Sequence, residues 1–151
     1  MKHQVLFLCS GNYYRSRFAE IVFNSLAASR QLDWTAFSRG LTVDGSTENV
    51  GPISQHALEA LLARGIDLGN KIRFPLQIQS RDFEQADLVV ALNESEHRAL
   101  LNQLFPRWAG SIVYWQIPDL HAASAAIGLS LIEREVQALV ERLVEEQSSK
   151  R

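Results

Sequence analysis

The sequence predicts an α/β fold: a single-domain, three-layer, doubly wound sandwich with a central four-stranded parallel sheet and helices on both faces. Short, largely apolar segments indicate strands that are buried on both faces of a sheet. Amphipathic segments lie between these strands, and such alternation requires parallel strands joined by crossover helices. The chain has 151 residues, the length of one domain, so we assign residues 1–151 to a single domain.

The four strands are predicted over residues 5–9, 34–40, 86–92 and 111–117. The first, VLFLC, is a continuous apolar run that ends in the chain's only cysteine, Cys9. Apolar residues recur at helical spacing over residues 17–28, which predicts the first helix. Ser16 precedes this helix at the position of an N-cap residue, and it is expected to cap the helix.

Three further helices are predicted downstream. A helix over residues 52–65 begins with a proline and ends with a glycine, the asymmetry typical of helices. A helix over residues 94–105 is expected to stop at Pro106. A long amphipathic helix covers residues 124–146, and the tail from about residue 147 is expected to fray.

Composition and charge exclude several classes of function. A formal net charge of −2 gives no electrostatic reason to expect a nucleic acid or an anionic membrane as partner. One cysteine excludes an internal disulfide framework and fits a reducing compartment. The N-terminal apolar run is shorter than a signal-peptide core, and no longer apolar stretch follows. These features predict a cytoplasmic protein.

Polar residues end or follow each predicted strand: Cys9, Ser38, Asn93 and Asp119. Because the carboxyl ends of parallel strands meet at one edge of a sheet, these four side chains are expected along the same edge. Ligands of such sheets bind at this edge. It is therefore the predicted location of the functional site.

The segment CSGNYYRS, residues 9–16, leaves the first strand and enters the first helix. A tight loop there can turn consecutive backbone N–H groups inward to hold an anion, and the helix N-terminus adds partial positive charge. Asn12 tolerates the left-handed conformation that such a turn requires, and Arg15 can hold two oxygens of a phosphate. The predicted oxyanion ligands are the loop residues Ser10, Gly11, Asn12, Tyr13, Tyr14 and Arg15. We call residues 9–15 the oxyanion loop.

Cys9 lies at the floor of this predicted loop. Inward amides, the helix end, Arg15 and the Ser16 hydroxyl all favour the thiolate over the thiol. A thiolate beneath a bound phosphoryl group is placed for in-line attack on phosphorus. The leaving oxygen then needs a proton, and Asp119, which is expected at the same edge of the sheet as Cys9, can supply it.

The four histidines lack any metal-ligand spacing such as H-E-x-x-H and are expected to be solvated or structural. We therefore predict no metal site and no cofactor. A small buried cysteine and an ordinary Pro-Asp turn are common in proteins, so neither residue is informative alone. The context of the strand, the loop and the following helix is what favours the catalytic interpretation.

The segment VLFLCSGNYYRSRFAE resembles the N-terminal signature of the low-molecular-weight protein tyrosine phosphatases, with its strand and C-x-G-N-x-x-R-S loop. The resemblance extends along the chain through FSRG, LLARGIDL, FEQADLVVALNESE and IPDLH. It implies a metal-free phosphomonoesterase that works through a phosphocysteine intermediate on protein phosphotyrosine. Cys9 would be the nucleophile, Arg15 the phosphate clamp, and Asp119 the acid that later activates water.

The same resemblance implies supporting roles for three further residues. Asn12 would brace the oxyanion loop, Ser16 would stabilise the thiolate, and Ser38 would form a hydrogen bond with Asn12. Phosphate or a similar oxyanion is the implied small ligand.

Several positions depart from the family pattern. Tyr14 stands where most members have a second cysteine, so no disulfide can shield an oxidised Cys9. Tyr13 stands where the family has isoleucine, or threonine in protein-arginine phosphatases. The remaining departures are Glu48 in the pocket-wall segment, Asn70-Lys71 for a histidine, Asn93 for an acidic residue, and Pro118-Asp119-Leu120 for an Asp-Pro-Asp-like loop.

Other functions remain open at this stage. An arsenate reductase with the same loop would need an external thiol such as glutathione, because the chain has no second cysteine to relay oxidation. A phosphate- or phosphopeptide-binding module without catalysis is the second alternative. A Cys-His acyl hydrolase that uses His121 is a weaker one, since it leaves Arg15 and the inward amides without a purpose.

Overall fold

The computed structural model describes residues 2–43, 49, 51–119 and 124–150. Strands and helices alternate along these residues. The strands are β1 (His3–Cys9), β2 (Trp34–Gly40), β3 (Leu88–Ala91) and β4 (Val113–Tyr114). The helices are α1 (Arg15–Ser29), α2 (Gln55–Ala63), α3 (Ser80–Gln85), α4 (Glu94–Leu104), α5 (Pro106–Ala109) and α6 (Ala125–Ser149).

The four strands form one parallel sheet in the order β2-β1-β3-β4. β1 pairs with β2 along its whole length, so that Cys9 lies opposite Gly40 at the carboxyl end. On its other side β1 pairs with β3, where Leu8 lies opposite Ala91. Each strand therefore ends at the same edge of the sheet, where the oxyanion loop begins.

Alternate residues of β1 face the two sides of the sheet, as the two-residue period of a strand requires. Val5, Phe7 and Cys9 belong to a buried cluster that includes residues of α1, α2 and α6. Leu6 and Leu8 belong to a second cluster with residues of α3, α4 and α5. Helices thus cover both faces of the sheet, and the predicted three-layer sandwich is confirmed.

The prediction that Ser16 caps α1 is wrong. The helix begins two residues earlier than predicted, at Arg15, and Tyr14 occupies the N-cap position without a side-chain hydrogen bond to the helix. Ser16 lies in the first turn, where its hydroxyl contacts the sulfur of Cys9. The side chain is thus directed to the loop instead of the helix end.

Two local features of the middle of the chain were not predicted. Pro106 ends α4 as expected, but it also begins the short helix α5, because a proline ring suits the first position of a helix. α3 was missed entirely. Its start is stabilised by the Gln79 N–H, which donates to Asp82 Oδ2 at 2.9 Å.

The last strand is shorter and the last helix longer than predicted. β4 comprises only Val113–Tyr114. α6 continues to Ser149, past the predicted end near residue 146. The Gln147 side chain accepts the Asp33 N–H at 2.8 Å and donates to Gln31 O at 3.2 Å, which ties the final turn to the segment before β2. Among the helices in the described part of the chain, none is long and apolar enough to cross a membrane.

Gly40 provides a test of how closely β2 packs against the oxyanion loop. A Cβ atom there would lie 2.9 Å from Ser10 O and 3.0 Å from Asn12 N, and it would overlap the Val43 side chain. We expect Gly40→Ala to lower the free energy of unfolding by about 1–3 kcal/mol, because backbone atoms cannot move aside cheaply. Urea unfolding measures this value.

Gly110→Ala is the matched control, since no described atom lies within 4 Å of a Cβ at that position. We expect its free energy of unfolding to stay near that of the wild type. A Gly40→Ala variant as stable as Gly110→Ala would contradict the close packing of loop and strand.

Candidate active site

Cys9 is buried at the carboxyl end of β1, with 3% of its surface exposed. Its sulfur lies 2.9 Å from Ser16 Oγ. That oxygen already accepts a hydrogen bond from Asn12 Nδ2 at 2.8 Å, so the Ser16 hydroxyl proton is available to Cys9. A hydroxyl donor is therefore directed at the sulfur.

Asn12 holds the loop through both ends of its side-chain amide. Its Nδ2 donates to Ser16 Oγ and, at 2.9 Å, to Ser38 Oγ. Its Oδ1 accepts from Arg73 NH1 at 2.9 Å and from the Leu76 N–H at 3.1 Å. All four hydrogen-bonding positions of the amide are therefore occupied. This fixes the residue in a left-handed conformation with φ of 50°.

The network around Asn12 continues to the body of the protein. Ser38 Oγ donates to Glu20 Oε1 at 2.6 Å, and Arg73 NH2 donates to both of these side chains. Burial lowers the pKa of Arg73, while the charge of Glu20 opposes that shift. The structure thus brings Ser38, which the sequence placed at the same edge, into contact with the oxyanion loop.

The carbonyl groups of the oxyanion loop are turned away from its centre. Three of them accept backbone N–H groups from neighbouring segments: Leu41 N to Cys9 O at 2.9 Å, Thr42 N to Ser10 O at 2.9 Å, and Ser54 N to Tyr13 O at 3.0 Å. In a planar trans peptide, the N–H of the following residue points the opposite way. The N–H groups of Ser10, Gly11 and Tyr14 therefore point away from those donors, as an anion-binding concavity requires.

Arg15 lies buried beside this loop at the start of α1. Its NH1 donates to Ile117 O at 3.0 Å, and its NH2 donates to Glu96 Oε2 at 2.8 Å. Asp119 Oδ1 lies 3.9 Å from the same NH2. Burial disfavours the charged guanidinium, but the hydrogen bond that it donates to Glu96 and the nearby negative charges outweigh this effect and raise the pKa of Arg15.

Asp119 therefore lies next to the arginine that the sequence predicts as the phosphate clamp. Its side chain is 42% exposed, so a ligand and solvent can reach it. The structure places Cys9, Arg15 and Asp119 at one edge of the sheet, where the sequence analysis expected Cys9 and Asp119. The neighbouring Leu120 and His121, and also Asp44 and Glu48, lie outside the described residues.

Glu96 and His97 are site residues that the sequence analysis missed. Both lie in the first turn of α4, just beyond β3. His97 Nδ1 accepts the Asn93 N–H at 3.2 Å, so the neutral ring carries its proton on Nε2 and donates it to Ser10 Oγ at 3.1 Å. Burial, reinforced by the charge of Arg15, lowers the pKa of His97 to about 4. The sequence could have indicated these two residues by their position just after a predicted strand, at the edge of the sheet where the site was expected.

Asn93 occupies the place where an acidic residue was expected. Its Oδ1 caps α4 by accepting the Glu96 N–H at 3.1 Å. Its Nδ2 donates to Ile117 O at 2.8 Å, the same carbonyl that Arg15 contacts. Asn93 thus joins the ends of β3 and β4 at the site.

The two tyrosines of the oxyanion loop make different contacts. Tyr14 OH donates to Ala125 O at 3.1 Å, at the start of α6. Burial raises the pKa of Tyr14. Gly128 leaves room for this ring, since a Cβ there would lie 2.8 Å from Tyr14 OH. Tyr13 is half-buried and packs against the cluster that contains Cys9. Within the described segments, no group of acidic, histidine or cysteine side chains is arranged to hold a metal ion.

Comparisons with known proteins agree with this arrangement. The family model described as "Low molecular weight phosphotyrosine protein phosphatase" matches residues 4–149. A protein-arginine-phosphatase of Bacillus subtilis (strain 168) is 32% identical over 108 residues, which are 72% of this chain and 67% of that protein. A low molecular weight phosphotyrosine protein phosphatase of Sus scrofa is 34% identical over 99 residues, 64% of this chain and 58% of that protein.

A solved structure gives the same result for the fold. The low molecular weight protein tyrosine phosphatase from T. tengcongensis superposes with a TM-score of 0.75 at 28% identity, covering 96% of this chain and 99% of that one. The family match extends over the loop, the sheet and the helices of the described chain. The chain therefore belongs to the low molecular weight phosphotyrosine protein phosphatase family, whose members are hydrolases with a cysteine nucleophile.

Proposed function

We propose that this protein hydrolyses the phosphate ester of phosphotyrosine residues in proteins, through a phosphocysteine intermediate on Cys9. The observation that carries this proposal is the position of the Cys9 sulfur, which lies beneath a loop whose carbonyls are turned outward and beside the buried Arg15. An oxyanion in the loop would have its phosphorus above the sulfur. A cytoplasmic location, expected from the single cysteine, belongs to the same proposal.

The reaction proceeds in two displacement steps. The Cys9 thiolate attacks phosphorus, the S–P bond forms, and the bond from phosphorus to the tyrosine oxygen breaks as Asp119 donates its proton to that oxygen. Asp119 then takes a proton from water, which attacks phosphorus and breaks the S–P bond. Inorganic phosphate leaves, and both residues return to their initial protonation states.

Transition-state charge is stabilised by groups that are already oriented. The equatorial oxygens of the phosphoryl group would meet the inward N–H groups of the loop and the N–H groups of Arg15 that its protein contacts leave available. Glu96 and the Ile117 carbonyl hold the guanidinium in place. Asn12, Ser16 and Ser38 keep the loop in its anion-binding conformation.

Phosphoarginine in proteins is a second candidate substrate, because the relative from Bacillus subtilis is a protein-arginine-phosphatase. The chemistry on Cys9 would be the same, with a guanidino nitrogen instead of an oxygen as leaving group. Tyr13 does not decide between the two, since it is neither the isoleucine of the tyrosine phosphatases nor the threonine of the arginine phosphatases.

The function is tested by substrate profiling of the wild type and of Cys9→Ser. We expect turnover of p-nitrophenyl phosphate and phosphotyrosine peptides, with slower turnover of phosphoarginine peptides, and no turnover by Cys9→Ser. Arg15→Lys should lose about 10²-fold or more in kcat/KM, since a point charge cannot replace a bidentate fork. Arg30→Lys, an exchange at an exposed ion pair with Glu141, is the control and should stay active.

Three outcomes would redirect the assignment. Faster turnover of phosphoarginine peptides would make those the substrate. Arsenate-dependent consumption of glutathione without phosphatase activity would indicate an arsenate reductase. Tight phosphate binding without any turnover would indicate a binding module.

Asp119 is tested by leaving groups of different basicity. Asp119→Asn should slow phenyl phosphate, whose leaving group needs a proton, by about 10²–10⁴-fold. It should slow p-nitrophenyl phosphate much less, because nitrophenolate leaves without protonation. Asp33→Asn, at an exposed position before β2, is the control. Equal losses on both substrates would exclude Asp119 as the acid and direct attention to Asp44 or Glu48.

The lowered pKa of His97 predicts how the folding stability of the protein varies with pH. Its pKa in the folded protein is about 4, against 6.5 for an ordinary histidine. As the pH falls below 6.5, the unfolded chain takes up the proton first, so folding stability that is present at pH 7 is lost. We expect the wild type to lose about 2 kcal/mol between pH 7 and pH 5 through this residue alone.

Urea unfolding of the wild type, His97→Gln and His56→Gln at both pH values isolates this contribution. His97→Gln should have a smaller pH dependence than the wild type, and the variant at the exposed His56 should match the wild type. An unchanged pH dependence in His97→Gln would mean that His97 is not held in its neutral form.

A further inference from the structure

Arg17 is a buried charge that the proposed reaction does not use. It lies in the first turn of α1, two residues after Arg15, and only 2% of it is exposed. Within the segments that the structure describes, no carboxylate lies at ion-pair distance from its guanidinium. Burial of a cation without a paired carboxylate is unfavourable, so the retention of this charge calls for a compensating interaction.

Its hydrogen bonds go to backbone carbonyls of three segments that are distant in sequence. NH1 donates to Asn12 O at 3.2 Å and to Pro52 O at 2.9 Å. NH2 donates to Arg73 O at 2.7 Å. Arg17 therefore connects the oxyanion loop to the segment before α2 and to the segment between α2 and α3.

The contact with Asn12 O determines the direction of one peptide group. Because the C=O and N–H of a planar trans peptide point in opposite directions, the hydrogen bond that turns Asn12 O towards Arg17 directs the Tyr13 N–H away from Arg17. Cys9 O, Ser10 O and Tyr13 O are held by backbone N–H groups. Asn12 O is held by a side chain, so its orientation depends on one replaceable residue.

The charge of Arg17 also acts on the loop. Burial lowers the pKa of Arg17 to about 10, and the positive charge of Arg73 adds to that effect. The negative charges of Glu20 and Cys9 oppose it. The side chain thus remains a cation at neutral pH. A phosphate bound in the loop would experience the field of this cation.

We propose that Arg17 is a positioning residue of the oxyanion loop. It holds the Asn12–Tyr13 peptide with the Tyr13 N–H directed at an oxygen of bound phosphate, and it places positive charge beneath that anion. This inference rests on the proposed function, since it takes phosphate as the ligand of the loop. Arg17 itself touches neither the substrate nor the reacting atoms.

The test compares Arg17→Met, Arg17→Lys and the control Arg30→Met, which removes a charge from the exposed end of the same helix. The first measurement is inhibition of p-nitrophenyl phosphate hydrolysis by inorganic phosphate. A hydrogen bond to a charged group is worth about tenfold in binding, so Arg17→Met should weaken phosphate at least tenfold. Arg17→Lys should lie between it and the wild type, and Arg30→Met should not differ from the wild type.

The second measurement is phosphate titration followed by amide NMR, with the Ser10 amide as an internal reference. Phosphate should shift both the Ser10 and the Tyr13 amide signals of the wild type. In both Arg17 variants the Tyr13 response should shrink while the Ser10 response persists, because Cys9 O keeps its backbone donor. If Arg17→Met does not fold, Arg17→Lys decides on the same two measurements.

Folded Arg17 variants that bind phosphate within twofold of the wild type and keep the Tyr13 response would overturn the inference. An equal loss of the phosphate-induced shift at the Ser10 and Tyr13 amides would also overturn it, because that pattern would indicate that the whole oxyanion loop has loosened. A wild type that neither binds phosphate nor hydrolyses the ester would instead contradict the proposed function.

Discussion

The direction of the peptide groups between Cys9 and Arg15 is the constraint on which this site depends. N–H groups can surround an oxyanion only if the carbonyls of the same peptides find donors elsewhere. Leu41 and Thr42 beyond β2 and Ser54 before α2 supply these donors. The loop is therefore built by the register of β1 on β2. A slip of one residue would exchange the two helix-covered faces of β1 and would misplace the Leu41 and Thr42 donors.

The positive charge near Cys9 is supported in two different ways. Arg15 is held by Glu96 and lies beside Asp119, so carboxylates balance its charge when the loop is empty. Arg17 has only carbonyl acceptors among the described residues, and the negative charges of Glu20 and Cys9 act on it without an ion pair. In the proposed function the first arginine would hold the ligand directly, whereas the second would stabilise the loop that surrounds it.

Much of this arrangement was predictable from the sequence, because it follows from the parallel direction of the strands. Parallel strands end at one edge, and this alone brings Cys9, Ser38 and Asp119 together. The residues that were missed act through tertiary contacts. Arg17 looks like an ordinary solvated arginine until α1 packs against the segments around Pro52 and Arg73. α3 was missed because it is only six residues long and has little apolar periodicity to recognise.

At three positions that depart from the family pattern, the structure shows contacts made by the residue itself or by a residue nearby in sequence. Asn93 lacks the expected carboxylate, and Glu96, three residues further along α4, places one on Arg15. Asn70-Lys71 lack the expected histidine, and Arg73 with the Leu76 N–H occupies the acceptor of Asn12. Tyr14 lacks the expected thiol, and its hydroxyl instead attaches the loop to α6. Since a helix turn or a long side chain can carry a donor several ångströms, the geometry of such a loop can persist while the residues that support it change.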